Sequence, residues 1–284
     1  MRRRGGATTD LPVLLPFRAG GREGGGPALR PRDGLWLALI VLLAAGAADA
    51  QAPDDGRRSV LATLWLWTPL LLGGFAFNLA ISFLAMAIGT AAGALLGIAQ
   101  ISLLPPVRAG SWLVTQFFRN APWLVLLFFC MFMLPFQVRL GPWTVPLPDW
   151  VKATFGLALP VMANVSEIVR GGIRSIPYGQ WESAESMGFT RRQTIRMIVL
   201  PQCVKRMLPP WMNLYAILTM ATVLASVVGV SEVMTLTGGV LAAEGGRTDL
   251  LVPLYGYILL WFFLYCYPIA RLTVRLERRY AVLA

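Results

Sequence analysis

Glu167 and Arg170 stand three residues apart in an otherwise apolar run, and Arg119 lies beside another. At helical spacing Glu167 and Arg170 share one face, so they either satisfy each other near the end of a span or contact a charged solute. A charge at or within a membrane, such as Arg119, is costly and tends to be paired or to face a cavity. Snorkelling to the interface is the other reading of Arg119. Asn164 belongs to the same apolar run as Glu167; Asn164-Val165-Ser166 matches a glycosylation sequon, which carries no meaning inside a span. These groups can bind and steer charge, but the parts for covalent catalysis are missing. The sequence has no His, and Cys130, Cys203 and Cys266 are too scattered to read as a metal cluster or redox pair. Lys152 and Lys205 are the only lysines, and neither follows a Gly in a phosphate-cradling loop. No enzyme activity and no cofactor are expected. Any ATP hydrolysis must come from a partner.

One polar island, Glu167 to Pro201, interrupts the apolar sequence and reads as two short helices. Pro177 suits a first helical turn, and Gly188 stands where a helix would end in a left-handed residue. Thr190 with Gln193 three residues later makes a capping box for the second helix. Ile195, Ile198 and Val199 follow at helical spacing, and Pro201 is expected to stop the run. Arg191, Arg192 and Arg196 give this second helix a face suited to another protein. A helix–Gly–helix with arginines also resembles a DNA-reading unit. Here it is wedged between apolar runs with no room for a separate domain, so no nucleic acid partner is expected. A merely solvated loop is the remaining alternative.

The elements that carry these residues are membrane spans. Of 284 residues, 56% are hydrophobic and 14% charged, with mean hydropathy +0.63; a soluble domain of this length rarely has such a balance. Residues 1–33 read as a disordered basic tail, and 34–52 as an extra helix or a signal-like segment ending in Ala48-Asp49-Ala50. Residues 53–74, with Trp65, Trp67 and Pro69, read as an interfacial elbow before a first span from Phe75 to Ile101. In that span Gly89, Gly93 and Gly97 form a small-residue stripe for close helix packing. Residues 140–150 are a Pro/Trp-rich connection, 152–173 a span, 211–230 a span, 235–249 a Gly-rich outer loop and 250–269 the last span. Seven Lys and Arg fall in the tail, two in 102–120, seven in 170–206 and four at the C-terminus; Arg57, Arg58, Arg139, Lys152 and Arg247 remain for the other side. That asymmetry predicts both termini and the polar island in the cytoplasm.

Glu182-Ser183-Ala184, three residues, Gly188, nine residues, then Ile198-x-Leu200-Pro201 resembles the EAA loop of ABC importer permeases, with Ser183 where Ala is usual. Glu167 to Ile173 and Ile176 to Glu182 look like the polar amino acid branch. Phe117 to Pro122 is similar to that branch's Phe-Arg-Gly-Thr-Pro signature, with Asn120 and Ala121 substituted. Ser226 to Glu232 resembles its Ser-Val-Ile-Gly-Val-Pro-Glu stretch, although Met220 to Leu224 are apolar where polar residues are usual. The resemblance covers residues 70–280. It implies an all-α polytopic membrane protein with five core helices of the type I importer fold, residues 75–284, and a coupling loop at 174–206.

It further implies a bacterial inner-membrane subunit that lines the pathway for polar amino acids or related small solutes. Its partners would be an ABC ATPase dimer, a second permease subunit, identical or related, an extracytoplasmic solute-binding protein and membrane lipid. Gln180, Glu182, Ser183, Ala184, Gly188, Ile198, Leu200 and Pro201 would couple to the ATPase, Glu182 as polar contact and Ala184 as the small residue that lets surfaces close. Arg119, Asn120, Asn164, Glu167, Thr222, Ser226 and Glu232 are the pathway candidates. An amine, opine or amino acid derivative is the alternative solute. A secondary transporter would need broken helices in repeated halves, and no internal repeat is visible; a membrane scaffold would recruit a partner without ATP.

Overall fold

The computed structural model describes residues 58–140 and 143–280, together with Leu39 and Gly46. The basic tail, and all of the expected 34–52 helix except those two positions, lie outside the described residues.

Helix α1 runs unbroken from Val60 to Ala99, 40 residues. At about 1.5 Å per residue it is roughly 60 Å long, twice the hydrocarbon core of a bilayer. The expected division near residue 74 into an elbow and a separate span is therefore not a break. Pro69 lacks an N–H, but the chain continues through it, and the neighbouring Thr68 hydroxyl donates to Leu64 O at 2.7 Å. Helices α2 (Pro105–Asn120) and α3 (Trp123–Met133) meet at an angle of 105°. The cause is Pro122, which pushes Ala121 into an extended conformation (φ −76°, ψ 137°).

The Pro/Trp-rich connection holds an antiparallel hairpin of β1 (Gln137–Leu140) and β2 (Trp143–Pro146), with Gln137 opposite Pro146. Phe136, just before it, lies 3.5 Å beneath the ammonium of fully buried Lys152, a cation–π contact that offsets part of the cost of burying that charge. Helix α4 (Asp149–Arg174) follows and forms the centre of the molecule.

Helices α1 and α4 approach closely along the glycine stripe. A Cβ added at Gly89 would sit 2.5 Å from Val161, one at Gly93 2.6 Å from Met162 O, and one at Gly97 2.7 Å from Ser166 O. Only hydrogen fits at these positions. Ile81, Leu127, Leu157, Val161 and Leu218 complete a core between α1, α3, α4 and the long helix that follows the polar loop. A second core joins α1 to the C-terminal helices, where the Phe75 ring meets Trp261, Phe262 and Tyr265 edge-on.

After α5 (Tyr178–Ser186), helix α6 extends from Arg191 to Val228. Pro201 does not stop it. A π-helical turn from Thr194 to Val199 precedes the proline, and the wider turn relieves the clash that a proline ring makes with the carbonyl four residues back. A 3₁₀ stretch, Thr222–Val228, ends at Gly229 with φ +90°. The segment read as an outer loop contains α7 (Val233–Ala243). Its sequence is apolar but shorter than a span, and what starts it is the Glu232 cap described below. Helix α8 (Leu251–Tyr280) closes the described chain.

Among the described residues, three helices are long and apolar enough to cross a membrane: α1, α6 and the run Thr248–Tyr280. The bent α2–α3 pair makes a fourth if it is one broken span. The outward faces are apolar, with Phe83, Leu95, Phe132 and Leu259 exposed.

Candidate functional site

The polar residues gather in three places. The first is a cavity of about 500 Å³ between α2, α4 and α6, lined by Arg119, Asn164, Glu167, Ser175, Arg206 and Asn213 among others. Arg119 comes from the last turn of α2, where the Pro122 break ends the helix and frees its side chain. Its guanidinium stands 3.7 Å from the Glu167 carboxylate on α4. Arg170, one turn on, donates Nε to Glu167 Oε1 at 3.2 Å and Nη2 to Oε2. Glu167 is thus held between two cations. Arg119 is about half exposed (47%) and Glu167 far less so (14%), so the arginine has room to exchange its partner.

Asn164 lies one turn before Glu167, lines the same cavity and donates its amide N–H to Pro160 O at 2.8 Å. Asn120, at the end of α2, is exposed and turned back onto Gln116 O at 2.7 Å. Behind Glu167 lies a buried cluster: Gln100 donates to Thr115 at 2.9 Å and Ser166 at 3.2 Å. Sequence reasoning missed Asn213, Gln100 and Thr115. An amide within an apolar run was the available signal for the first two.

The second place is the α5–α6 loop. Gly188, φ +79°, ends α5 in a Schellman motif: its N–H donates to Glu185 O at 2.9 Å and the Phe189 N–H to Ala184 O at 3.0 Å. Both halves of the Thr190–Gln193 capping box are formed. Ala184 is fully buried, and it faces this chain's own interior rather than a free surface. Its small size therefore serves the packing of the loop upon itself. Gln180 accepts from Gln202 on α6 at 2.6 Å, and Arg206 reaches Ser175 O at 2.5 Å; these bonds tie the loop to both flanking helices. Glu182 and Ser183 are exposed, Ile198 is half-buried, and Leu200 and Pro201 are exposed. Tyr178, Met187, Met197 and Leu200 leave an apolar surface around them.

The third place does not belong with the first. Glu232 and Thr222 are fully buried against Asn78 of α1. Asn78 Nδ2 donates to Glu232 Oε2 at 2.8 Å and Thr222 Oγ1 at 3.0 Å, and Asn78 Oδ1 accepts from Val233 N at 3.1 Å. Glu232 Oε1 accepts from Met234 N at 2.9 Å and Thr235 N at 3.1 Å, capping α7. Every oxygen of this carboxylate is engaged. Ser226 folds back onto Val223 O at 2.7 Å. Of the seven pathway candidates, the structure brings Arg119, Asn164 and Glu167 together, leaves Asn120 at the adjacent helix end, and keeps Thr222, Ser226 and Glu232 apart from that cavity.

A family model described as the binding-protein-dependent transport system inner membrane component matches residues 89–281. A probable amino-acid ABC transporter permease, YckA of Bacillus subtilis (strain 168), is 32% identical over 213 residues, 75% of this chain and 90% of that protein. The glutamine transport system permease GlnP of Escherichia coli (strain K12) is 29% identical over 230 residues, 78% of this chain and 97% of that one. A solved structure of an amino acid ABC transporter with histidines superposes with a TM-score of 0.66 at 24% identity, over 78% of this chain and 99% of the other. At that identity the likeness is one of fold.

Proposed function

The chain belongs to the family of binding-protein-dependent transport system inner membrane components, the permease subunits of ABC importers, and we propose that its cargo is a polar amino acid or a related small zwitterion. The observation that carries this reading is the placement of Arg119 and Glu167 in one cavity with opposite charges and unequal exposure. A zwitterion offers a carboxylate to Arg119 and an ammonium to Glu167, and so exchanges one ion pair for two charge-assisted ones. Relatives named for amino acid and glutamine transport support the same class.

As in its relatives, the permease does not itself hydrolyse ATP; we assign hydrolysis to a partner ATPase dimer docked on the α5–α6 loop. Exposed Glu182 and the apolar patch of Met187, Met197 and Leu200 supply a polar contact ringed by apolar surface. ATP-driven closure would push α5, and the bonds Gln180–Gln202 and Arg206–Ser175 would carry the push to α6 and α4. A second permease subunit is supported by an apolar groove between α6 and α8, lined by Met220, Val223, Leu259 and Phe263. An extracytoplasmic binding protein would deliver the solute on the opposite face. Five spans are reached when α4 and the α2–α3 pair are counted with α1, α6 and α8; with the helix expected at 34–52 as a sixth crossing, both termini would lie in the cytoplasm of a bacterial inner membrane.

Co-purification with the ATPase tests the coupling half. Gly188→Arg places a side chain where φ is +79°, so capture should be lost while membrane insertion is unchanged. Capture indifferent to this change would remove the loop from the mechanism. ATP-dependent uptake into proteoliposomes, competed by zwitterionic amino acids but not by simple amines, tests the cargo.

A further inference from the structure

We propose that a cavity beside the coupling loop holds the headgroup of an anionic phospholipid, its phosphate among Arg108, Arg174 and Arg191. This cavity, of about 560 Å³, shares only Ser175 with the Arg119–Glu167 cavity and is lined by those three arginines with Gln100, Tyr178 and Trp181 among its other walls. The arginines come from three elements: the first turn of α2, the last turn of α4 and the first residue of α6. Among the described residues no acidic side chain lines it. Among the described residues, none of the three guanidiniums has a hydrogen-bond or ion-pair partner.

Two of these cations sit at helix N-termini, where the backbone already presents a positive end. Such an arrangement is relieved when an anion joins it, and phosphate, like carboxylate, has oxygens that match the guanidinium fork.

Gln100 adds a second demand. It is 2% exposed, its amide N–H groups are used by Thr115 and Ser166, and its carbonyl oxygen has no partner. That oxygen is closed off from the cavity as the side chain stands, so a headgroup hydroxyl, such as phosphatidylglycerol carries, would engage it only if Gln100 turned toward the cavity it helps to line. A lipid is favoured over a soluble phosphate by the surroundings. Leu103, Leu104 and Val107 are exposed beside Arg108 and offer a surface for acyl chain, and Tyr178 and Trp181 have the amphipathic rings of a membrane boundary. The cavity also opens next to the last turn of α1, whose apolar length ends at Ala99. A lipid bound here would brace α2, α4 and the base of the coupling loop against one another.

The site rests on the inward placement of the loop only for which leaflet supplies the lipid. Retention by the purified full chain in detergent does not depend on orientation, so its failure is distinct from failure of the transport reading. Native mass spectrometry with dioleoylphosphatidylglycerol should show retained lipid, with dioleoylphosphatidylcholine retained far less. The triple variant Arg108→Gln, Arg174→Gln, Arg191→Gln should lower phosphatidylglycerol retention by about tenfold or more, since each basic group near an anionic surface changes partition roughly fivefold. The matching Arg→Lys triple should keep most of it. Equal retention of the two lipids, or retention unaffected by the Gln triple, overturns the proposal. Displacement of the lipid by millimolar inorganic phosphate would also overturn it, by making the ligand a soluble anion. So would a Gln triple that loses ATPase capture while lipid retention stays the same, because the pocket would then serve protein docking.

Discussion

The Arg119 guanidinium stands 3.7 Å from the Glu167 carboxylate, across the gap between α2 and α4, while Arg170 holds the same carboxylate from its own helix. The two arginines are not equivalent. Arg170 fixes Glu167 at close range within α4; Arg119 is at the outer limit of an ion pair and about half exposed. Glu167→Gln keeps the shape of the side chain and removes the charge. If the carboxylate receives a substrate ammonium, apparent affinity in uptake should fall by about tenfold to a hundredfold, the value of one charge-assisted hydrogen bond. Stability should fall by about 1–3 kcal/mol, because Glu167 is only 14% exposed and its neutralisation leaves the Arg170 guanidinium short of its partner. Unchanged uptake with this variant would show that the pair is structural.

The glycine stripe gives a prediction that is independent of function. At Gly93 a methyl group would meet Met162 O and Val165 Cβ at 2.6 and 2.7 Å, and a backbone carbonyl cannot rotate away. Gly93→Ala should therefore cost about 1–3 kcal/mol through overpacking. Gly73→Ala, on the same helix with open space where the methyl would go, should be neutral or slightly stabilising, because Ala is the better helix former. Thermal unfolding in detergent reads both. Equal losses at the two sites would mean that helix propensity, and not the close approach of α1 and α4, is being measured.

Local devices were legible in the sequence. Gly188 has the left-handed φ, Thr190 and Gln193 form the capping box, and the four-residue glycine period faces α4. Each depends on residues within a turn or two of one another. What was not legible depends on partners far along the chain. Pro201 reads as a stop, yet the preceding π turn carries the helix past it. The outer loop reads as irregular until Asn78, more than 150 residues away, is seen to hold the Glu232 cap that starts α7. Arg119 and Glu167 each stood out as a membrane charge, but their meeting depends on the 105° bend that Pro122 imposes between α2 and α3. Glu232 was a pathway candidate through the family-like Ser226–Glu232 stretch and sits elsewhere, because sequence alone cannot tell a charge facing a cavity from a charge closed over by backbone N–H groups.

That difference can be measured at Asn78. Its amide bridges Glu232, Thr222 and the Val233 N–H in a region from which water is excluded. Asn78→Ala strips a carboxylate oxygen, a hydroxyl and a backbone donor of a partner at once. Leaving buried polar groups unsatisfied costs about 1–3 kcal/mol each, more when one is charged, although relaxation and incoming water will reduce the sum. We expect a loss of at least about 2 kcal/mol, visible as a lower unfolding temperature and weaker protection of α7 in hydrogen exchange. Protein that remains folded should retain near-normal apparent affinity in uptake, since this network lies apart from the Arg119–Glu167 cavity. Conversely, Asn78→Ala with normal stability and a large loss of apparent affinity would move Glu232 into the pathway and require the cavity around Arg119 to be only part of the route.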